Sequence, residues 1–204
     1  AAPRDPRPTK VPKGTVVHPN RMVALYDKPD GTAFAKIGRK QFGDTWLPVV
    51  TRNRDWVQVL LPSKPNGSTG WIRSAEVAEA HSRFLVKVRL GSRMLEFYES
   101  NQLVGSWSVA IGAAKTPTPV GRTFVLGQIE DDQQPFSPVI LPLGSHSATL
   151  DSYGGGPGTV ALHGWTNPDV FGEAISHGCV RVPDDALDLL RTVPTGTPVM
   201  VDKT

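Results

Sequence analysis

Apolar residues along this chain fall in short alternating or continuous runs separated by clusters of Gly, Pro, Asn and Asp, a pattern of strands and turns rather than of long amphipathic helices. Arg21–Tyr26, Ala33–Ile37, Thr45–Val50 and Trp56–Leu61 read as strands, divided by turn formers such as Lys28-Pro29-Asp30-Gly31 and the stretch 62–70. A short connecting helix is expected over Ala75–His81. Beyond it, Phe84–Leu90 and Arg93–Glu99 form a hairpin around Gly91-Ser92, a suitable two-residue connection. Leu103–Ile111, Thr123–Leu126 and Val139–Leu143 continue the β pattern, and Pro142, which has no N–H, would suit only an edge strand. Thr159–Leu162 runs directly into His163. Asn167 caps and Pro168 opens a short helix through Ile175. Pro183-Asp184-Asp185 opens a second over Ala186–Thr192, its acids near the positive end, and Thr197–Val201 closes the chain as a strand.

Composition supports a mainly β fold: Gly (20) and Pro (19) are frequent among the 204 residues, and a hydrophobic fraction of 39% is enough for a packed core. Residues 1–14, rich in Pro, Arg and Lys, are expected to be a flexible linker. Residues 15–79 make a small β unit and residues 83–203 a second, larger β domain with short helices. No run of about 18 apolar residues marks a transmembrane segment. The opening residues lack the apolar core of a signal peptide and read as the tail left where a targeting or anchoring segment is absent from this chain. The net charge of +3 comes from scattered, mixed charges, so no nucleic acid is expected as a partner.

Candidate chemistry centres on the single cysteine, Cys179, in Ser176-His177-Gly178-Cys179-Val180-Arg181. A thiolate is a nucleophile whose formation is favoured by nearby positive charge or a proton-accepting imidazole. Gly178 allows close backbone approach, so amides around Gly178 and Cys179 suit a developing oxyanion. His163 ends an apolar strand, and the loop and short helix after it return Cys179 to face it.

Leu162-His163-Gly164, the intervening stretch and Ser176–Arg181 together resemble the signature of YkuD-type L,D-transpeptidases. Lys115-Thr116-Pro117-Thr118-Pro119-Val120-Gly121-Arg122-Thr123-Phe124 and Tyr153-Gly154-Gly155-Gly156 resemble further family segments. The resemblance spans about residues 83–203. Upstream, Trp56-Val57-Gln58-Val59 followed by Gly70-Trp71-Ile72 resembles the end of a bacterial SH3-like barrel. What the resemblance implies is a mainly β protein: an SH3-like barrel followed by an L,D-transpeptidase domain outside the cytoplasm, in the cell wall or periplasm. It implies cross-linking of peptidoglycan stem peptides through a Cys179 thioester with release of D-alanine, no cofactor, and inhibition by carbapenem-type β-lactams. His163 is then the base, Cys179 the nucleophile, and His177, Gly178 and Cys179 the oxyanion pocket, with Ser176 shaping the turn. L,D-carboxypeptidase activity, or wall binding with an inactive catalytic domain, are the alternatives.

Other positions keep two readings. His177 either exchanges protons or only holds the loop. Arg181, where many relatives carry Asn, either grips a substrate carboxylate bidentately or pairs with Asp184 or Asp185. Tyr153 offers its hydroxyl to the cleft or packs as a loop aromatic, Trp165 forms one lip of the site, and His146 lines the cleft or sits in a solvated loop. Zinc ligation by His163, His177 and Cys179 would consume the nucleophile and lacks an evident fourth ligand, so no metal is expected.

Overall fold

The computed structural model describes residues 1–130, 133–152 and 158–204. Strands β1 (Thr15–Pro19), β2 (Val23–Tyr26), β3 (Ala33–Ile37), β4 (Leu47–Asn53), β5 (Trp56–Leu60), β6 (Thr69–Arg73) and β7 (Val77–His81) form one antiparallel sheet in the order β3-β2-β6-β5-β4-β1-β7. Ala75–His81 is therefore not a helix. A single 3-10 turn at Ser74–Glu76 leads into β7, which pairs with β1 along its whole length. The run Val77-Ala78-Glu79-Ala80-His81 has helix-forming composition, but the unpaired edge of β1 offers a ladder that outweighs so weak a local preference.

The second half contains β8 (Phe84–Arg89), β9 (Met94–Glu99), β10 (Gln102–Ser108), β11 (Ile111–Gly112), β12 (Gly121–Phe124), β13 (Ile129–Glu130), β14 (Val139–His146), β15 (Thr159–Gly164), β16 (Ala174–Ser176), β17 (Val180–Val182), helix α1 (Asp184–Leu190) and β18 (Pro198–Asp202). Two sheets, β10-β9-β8-β18-β12 and β13-β14-β15-β17, pack face to face. Val86, Val88, Leu95, Phe97, Val199 and Val201 on one side meet Val139, Leu141, Val160, Leu162, Val180 and Val182 on the other. Ala186, Leu187 and Leu190 of α1 close the end of this core. Each fully buried Val or Leu contributes roughly 1.5–3 kcal/mol, so the sandwich is a firm base for the strands that carry the site.

Pro142 is not at an edge. It lies in β14 between β13 and β15, but β13 pairs only with Val139 and Ile140, so no β13 residue stands opposite Pro142 to need its missing N–H. The pairing register breaks between Pro142 and His146, and the Pro142 carbonyl accepts from the Leu126 amide at 2.8 Å. The helix expected from Pro168 to Ile175 shrinks to one 3-10 turn, Pro168–Val170, with the Asn167 side chain accepting the Asp169 N–H. Gly172 (φ +95°) ends it, and Ala174–Ser176 pairs in parallel with Ile111–Gly112.

Part of the N-terminal segment makes buried contacts with both halves of the chain. Asp5 and Arg122 form a bidentate ion pair at 2.5 and 2.6 Å with both side chains almost fully buried. The Asp5 amide donates to Gly67 and the Thr69 amide to Pro3. Composition marks residues 1–14 as linker because their burial partners, Arg122 and the 67–69 strand edge, are distant in sequence. The two halves also share packing: Phe124 and Leu126 complete the core formed by Val17, Leu25, Leu47, Val57, Val59 and Ile72.

Candidate active site

The site lies on the face of β15 and β17 that points away from the sandwich core. These strands run parallel, with Leu162 opposite Val180 and His163 opposite Arg181. Strand alternation sends Leu162 and Val180, both fully buried, into the core. The same alternation puts Ala161, His163, Cys179 and Arg181 together on the other face, with Cys179 one pleat before Arg181 and level with Ala161.

The turn that delivers Cys179 is held by a closed set of hydrogen bonds. Ser176 Oγ donates to the Cys179 carbonyl at 2.5 Å and accepts the Gly178 N–H at 3.1 Å. Gly178 has φ +116°, a conformation that a side chain would strain. From the opposite side, Thr118 Oγ1 donates to the Gly178 carbonyl and accepts the Gly112 N–H, each at 2.9 Å. Thr116 Oγ1 donates to the Ser176 carbonyl at 2.9 Å. Neither threonine was singled out from sequence. Their signal is the Thr-Pro-Thr-Pro run, whose prolines stiffen the segment that brings both hydroxyls to the turn. Because Gly178 turns its own amide to Ser176, that amide serves the loop.

His163 is buried, and its Nδ1 lies 2.7 Å from the carbonyl of Gly164. A carbonyl only accepts, so Nδ1 carries the hydrogen and the lone pair is on Nε2. Ser137 Oγ fixes this stretch by accepting the Gly164 N–H at 2.8 Å while donating to Val139. Phe136 meets the His163 ring edge-on with centroids 5.2 Å apart, and Trp165 leans on both rings. Phe136 and Ser137, in a Pro-Phe-Ser-Pro loop, carry no sequence signal for this role.

Arg181 stands on β17 opposite His163. Its guanidinium carbon sits 3.6 Å from the centre of the Trp165 ring, a cation–π contact in a half-buried site. Asp185 receives the Trp107 indole N–H at 2.8 Å. Burial pushes the Cys179 thiol above its ordinary 9.0, while a hydrogen bond from the Ala161 backbone and the charge of Arg181 pull the other way. Burial also lowers His163 below 6.5, opposed by the Gly164 carbonyl and assisted by Arg181. At neutral pH the resting pair is therefore thiol and neutral imidazole, and one cation favours both the thiolate and the unprotonated base.

The remaining candidates divide. His177 is exposed at the rim of the turn. Trp165 is part of the site through its contacts with His163 and Arg181. His146 pairs with Thr159 at the start of β15, which separates it from β17 and the cysteine turn, and its ring is half-buried with pKa lowered by burial and by Lys64. Its backbone is gripped from the N-terminal half: Asn66 Nδ2 donates to the His146 carbonyl at 2.7 Å, and the His146 N–H donates to Asn66 Oδ1 at 2.8 Å. Lys64 pairs with Asp151 at 2.9 Å on the same segment. Tyr153 lies outside the described residues. Among the described residues no three His, Cys, Asp or Glu side chains converge as a metal site, and no helix is long and apolar enough to cross a membrane.

A thiol on a glycine turn and a buried imidazole on one face of a two-sheet β domain are groups that suit acyl transfer, and comparison with known proteins identifies the family. The YkuD family, the L,D-transpeptidase catalytic domain, matches residues 83–201. The chain is 32% identical over 167 residues to an L,D-transpeptidase YkuD of Bacillus licheniformis, spanning 78% of this chain and 94% of that protein. It is 28% identical over 119 residues to the protein of the same name from Bacillus subtilis, spanning 58% of this chain and 65% of that one. In fold it is similar to L,D-transpeptidase 3 of Mycobacterium tuberculosis in complex with a faropenem-derived adduct, with TM-score 0.53 and 11% identity over 91% of this chain and 95% of that chain. The chain belongs to the YkuD L,D-transpeptidase family.

Proposed function

We propose that this chain cross-links peptidoglycan stem peptides outside the cytoplasm through a thioester on Cys179. The observation that supports this most is the shared face of β15 and β17, where a half-buried thiol, an imidazole with its lone pair on Nε2 and a guanidinium stand together. In the proposed reaction, Nε2 of His163 takes the thiol proton as Sγ attacks the carbonyl that joins the L-centre of a diamino residue to a terminal D-alanine. The tetrahedral oxyanion is held by backbone N–H groups of the turn. With the Gly178 amide given to Ser176, that task falls to the amides of Cys179 and His177.

Collapse of the intermediate breaks the C–N bond, and the imidazolium returns its proton to the departing D-alanine amine. The side-chain amine of a second stem then attacks the thioester, His163 takes its surplus proton, and the thiol is restored as the new amide forms. His177 is assigned to the loop and Trp165 to holding Arg181 in place. His146 is assigned to the substrate cleft, and residues 15–79 to an SH3-like unit acting as a spacer. β-Lactams of the carbapenem and penem type are proposed to acylate the same sulfur, by analogy with the faropenem-derived adduct of the mycobacterial protein.

Mass spectrometry of products from a defined tetrapeptide donor, with and without an acceptor stem, tests this reading. Cross-linked dimer and free D-alanine are expected with wild type and neither with Cys179→Ala. D-Alanine release without dimer at any acceptor concentration would make the protein a carboxypeptidase. Full activity of Cys179→Ala would overturn the mechanism.

A further inference from the structure

A groove remote in sequence from the cysteine turn has a chemistry of its own. β1 pairs with β4 only at Val16 and Val17, so residues 10–15 and 49–52 diverge and leave a groove of about 380 Å³ between them. Five cations line it, Arg7, Lys10, Lys13, Arg52 and Arg122, with no acidic side chain among the lining residues. Two of these are matched nearby, Arg122 by Asp5 and Arg52 by Glu79, the latter pair exposed and open to exchange. Removing these five cations and two carboxylates from the chain's 22 basic and 19 acidic side chains leaves equal numbers of each, so the excess positive charge of the whole chain resides here.

The groove wall is built rather than incidental. Asp5 holds Arg122 and also accepts the Arg7 N–H at 2.9 Å, and the Lys10 N–H closes a turn on the Arg7 carbonyl. Cations spread along a groove on three chain segments suit charges repeated along a linear polymer better than one compact anion. Guanidiniums and ammoniums both bind phosphate oxygens, and Val11, Pro12 and Val50 offer apolar floor to the neutral spacers between charges. Among the described residues no aromatic side chain lines the groove, so they offer no platform on which nucleic-acid bases could stack.

We propose that this groove binds a linear phosphodiester polymer whose phosphates are joined by polyol or sugar units, tethering the enzyme independently of its active site. The test is binding of synthetic poly(glycerol phosphate) to the full chain, followed by titration calorimetry at low and high salt. Single-stranded DNA and poly-L-glutamate of similar charge number serve as competitors. Saturable binding that weakens with salt is expected. It should fall by about tenfold or more in the triple variant Arg7→Gln, Lys10→Gln, Lys13→Gln, and by less than about twofold in the control Lys36→Gln, Arg39→Gln, Lys40→Gln, which removes the same charge from an exposed region elsewhere. Thermal unfolding and turnover of a small tetrapeptide donor should be unchanged in the groove variant. Equal losses in both triples, tighter binding of DNA or polyglutamate, or no saturable binding would each overturn the proposal.

Discussion

His163 and Arg181 stand directly opposite one another on adjacent parallel strands, so a guanidinium held on the Trp165 ring lies beside a buried imidazole. Burial is the main force that lowers proton binding by the imidazole, and the guanidinium adds to it; the same charge favours the thiolate against the larger opposing effect of the thiol's burial.

This relationship sets a pH dependence. Donor turnover should fall on the acid side as His163 takes up a proton, at a pH below the ordinary 6.5. In Arg181→Gln the imidazole loses a neighbouring cation, so its proton binds more readily and the acid limb moves to higher pH. The same change makes the thiol harder to ionise, so alkylation of Cys179 by iodoacetamide also shifts upward in pH. Rate profiles and alkylation rates measured across pH on both proteins check the two shifts. A lower rate with neither limb moved would assign Arg181 to substrate contact instead.

Thr118 bridges the Gly112 amide and the Gly178 carbonyl from a buried position. Thr118→Val keeps the shape and removes both bonds, leaving two buried backbone groups without the partner they had. A stability loss of about 1–3 kcal/mol in urea denaturation is expected. Because the carbonyl belongs to the residue before Cys179, kcat should drop more than KM rises.

Asp5 and Arg122 are an ion pair whose loss would strand a charge. Asp5→Ala should cost about 3–5 kcal/mol, whereas Asp5→Leu with Arg122→Met should cost much less, since neither leaves an unpaired buried ion. Chemical denaturation of the three proteins measures the difference. Equal losses would show that the segment is held chiefly by its backbone bonds to residues 67 and 69.

Asn66 reaches from one half of the chain to both backbone groups of His146 in the other. Asn66→Ala should leave the cysteine turn intact and loosen the segment after β14. A higher KM for the donor with nearly unchanged kcat is the expected result. An unchanged KM would remove His146 and its neighbours from the substrate cleft.

The β character of the chain was legible because strand alternation and turn residues are local signals, and α1 because Pro183, Asp184 and Asp185 mark its start. The cysteine turn was legible for the same reason: Ser176, Gly178 and Cys179 lie in one short stretch, and Ser176 proves to be the residue that closes it. Ala75–His81 and the segment 168–175 were misread where their ends meet strand edges far along the chain. A ladder partner such as β1 or β11 has no representation in a local window.

The sequence by itself determined the chemical inventory: one thiol, a histidine closing an apolar strand, and a glycine where the turn needs positive φ. How those groups are placed and charged follows from the fold. Parallel pairing of β15 with β17 places Arg181 beside His163, the Gly164 carbonyl selects the imidazole tautomer, and Trp165 holds the guanidinium. Burial then moves the thiol and the imidazole in opposite directions. Those effects depend on distances between residues that are remote along the chain. Electrostatic coupling and desolvation act through space, and the order of residues does not carry them.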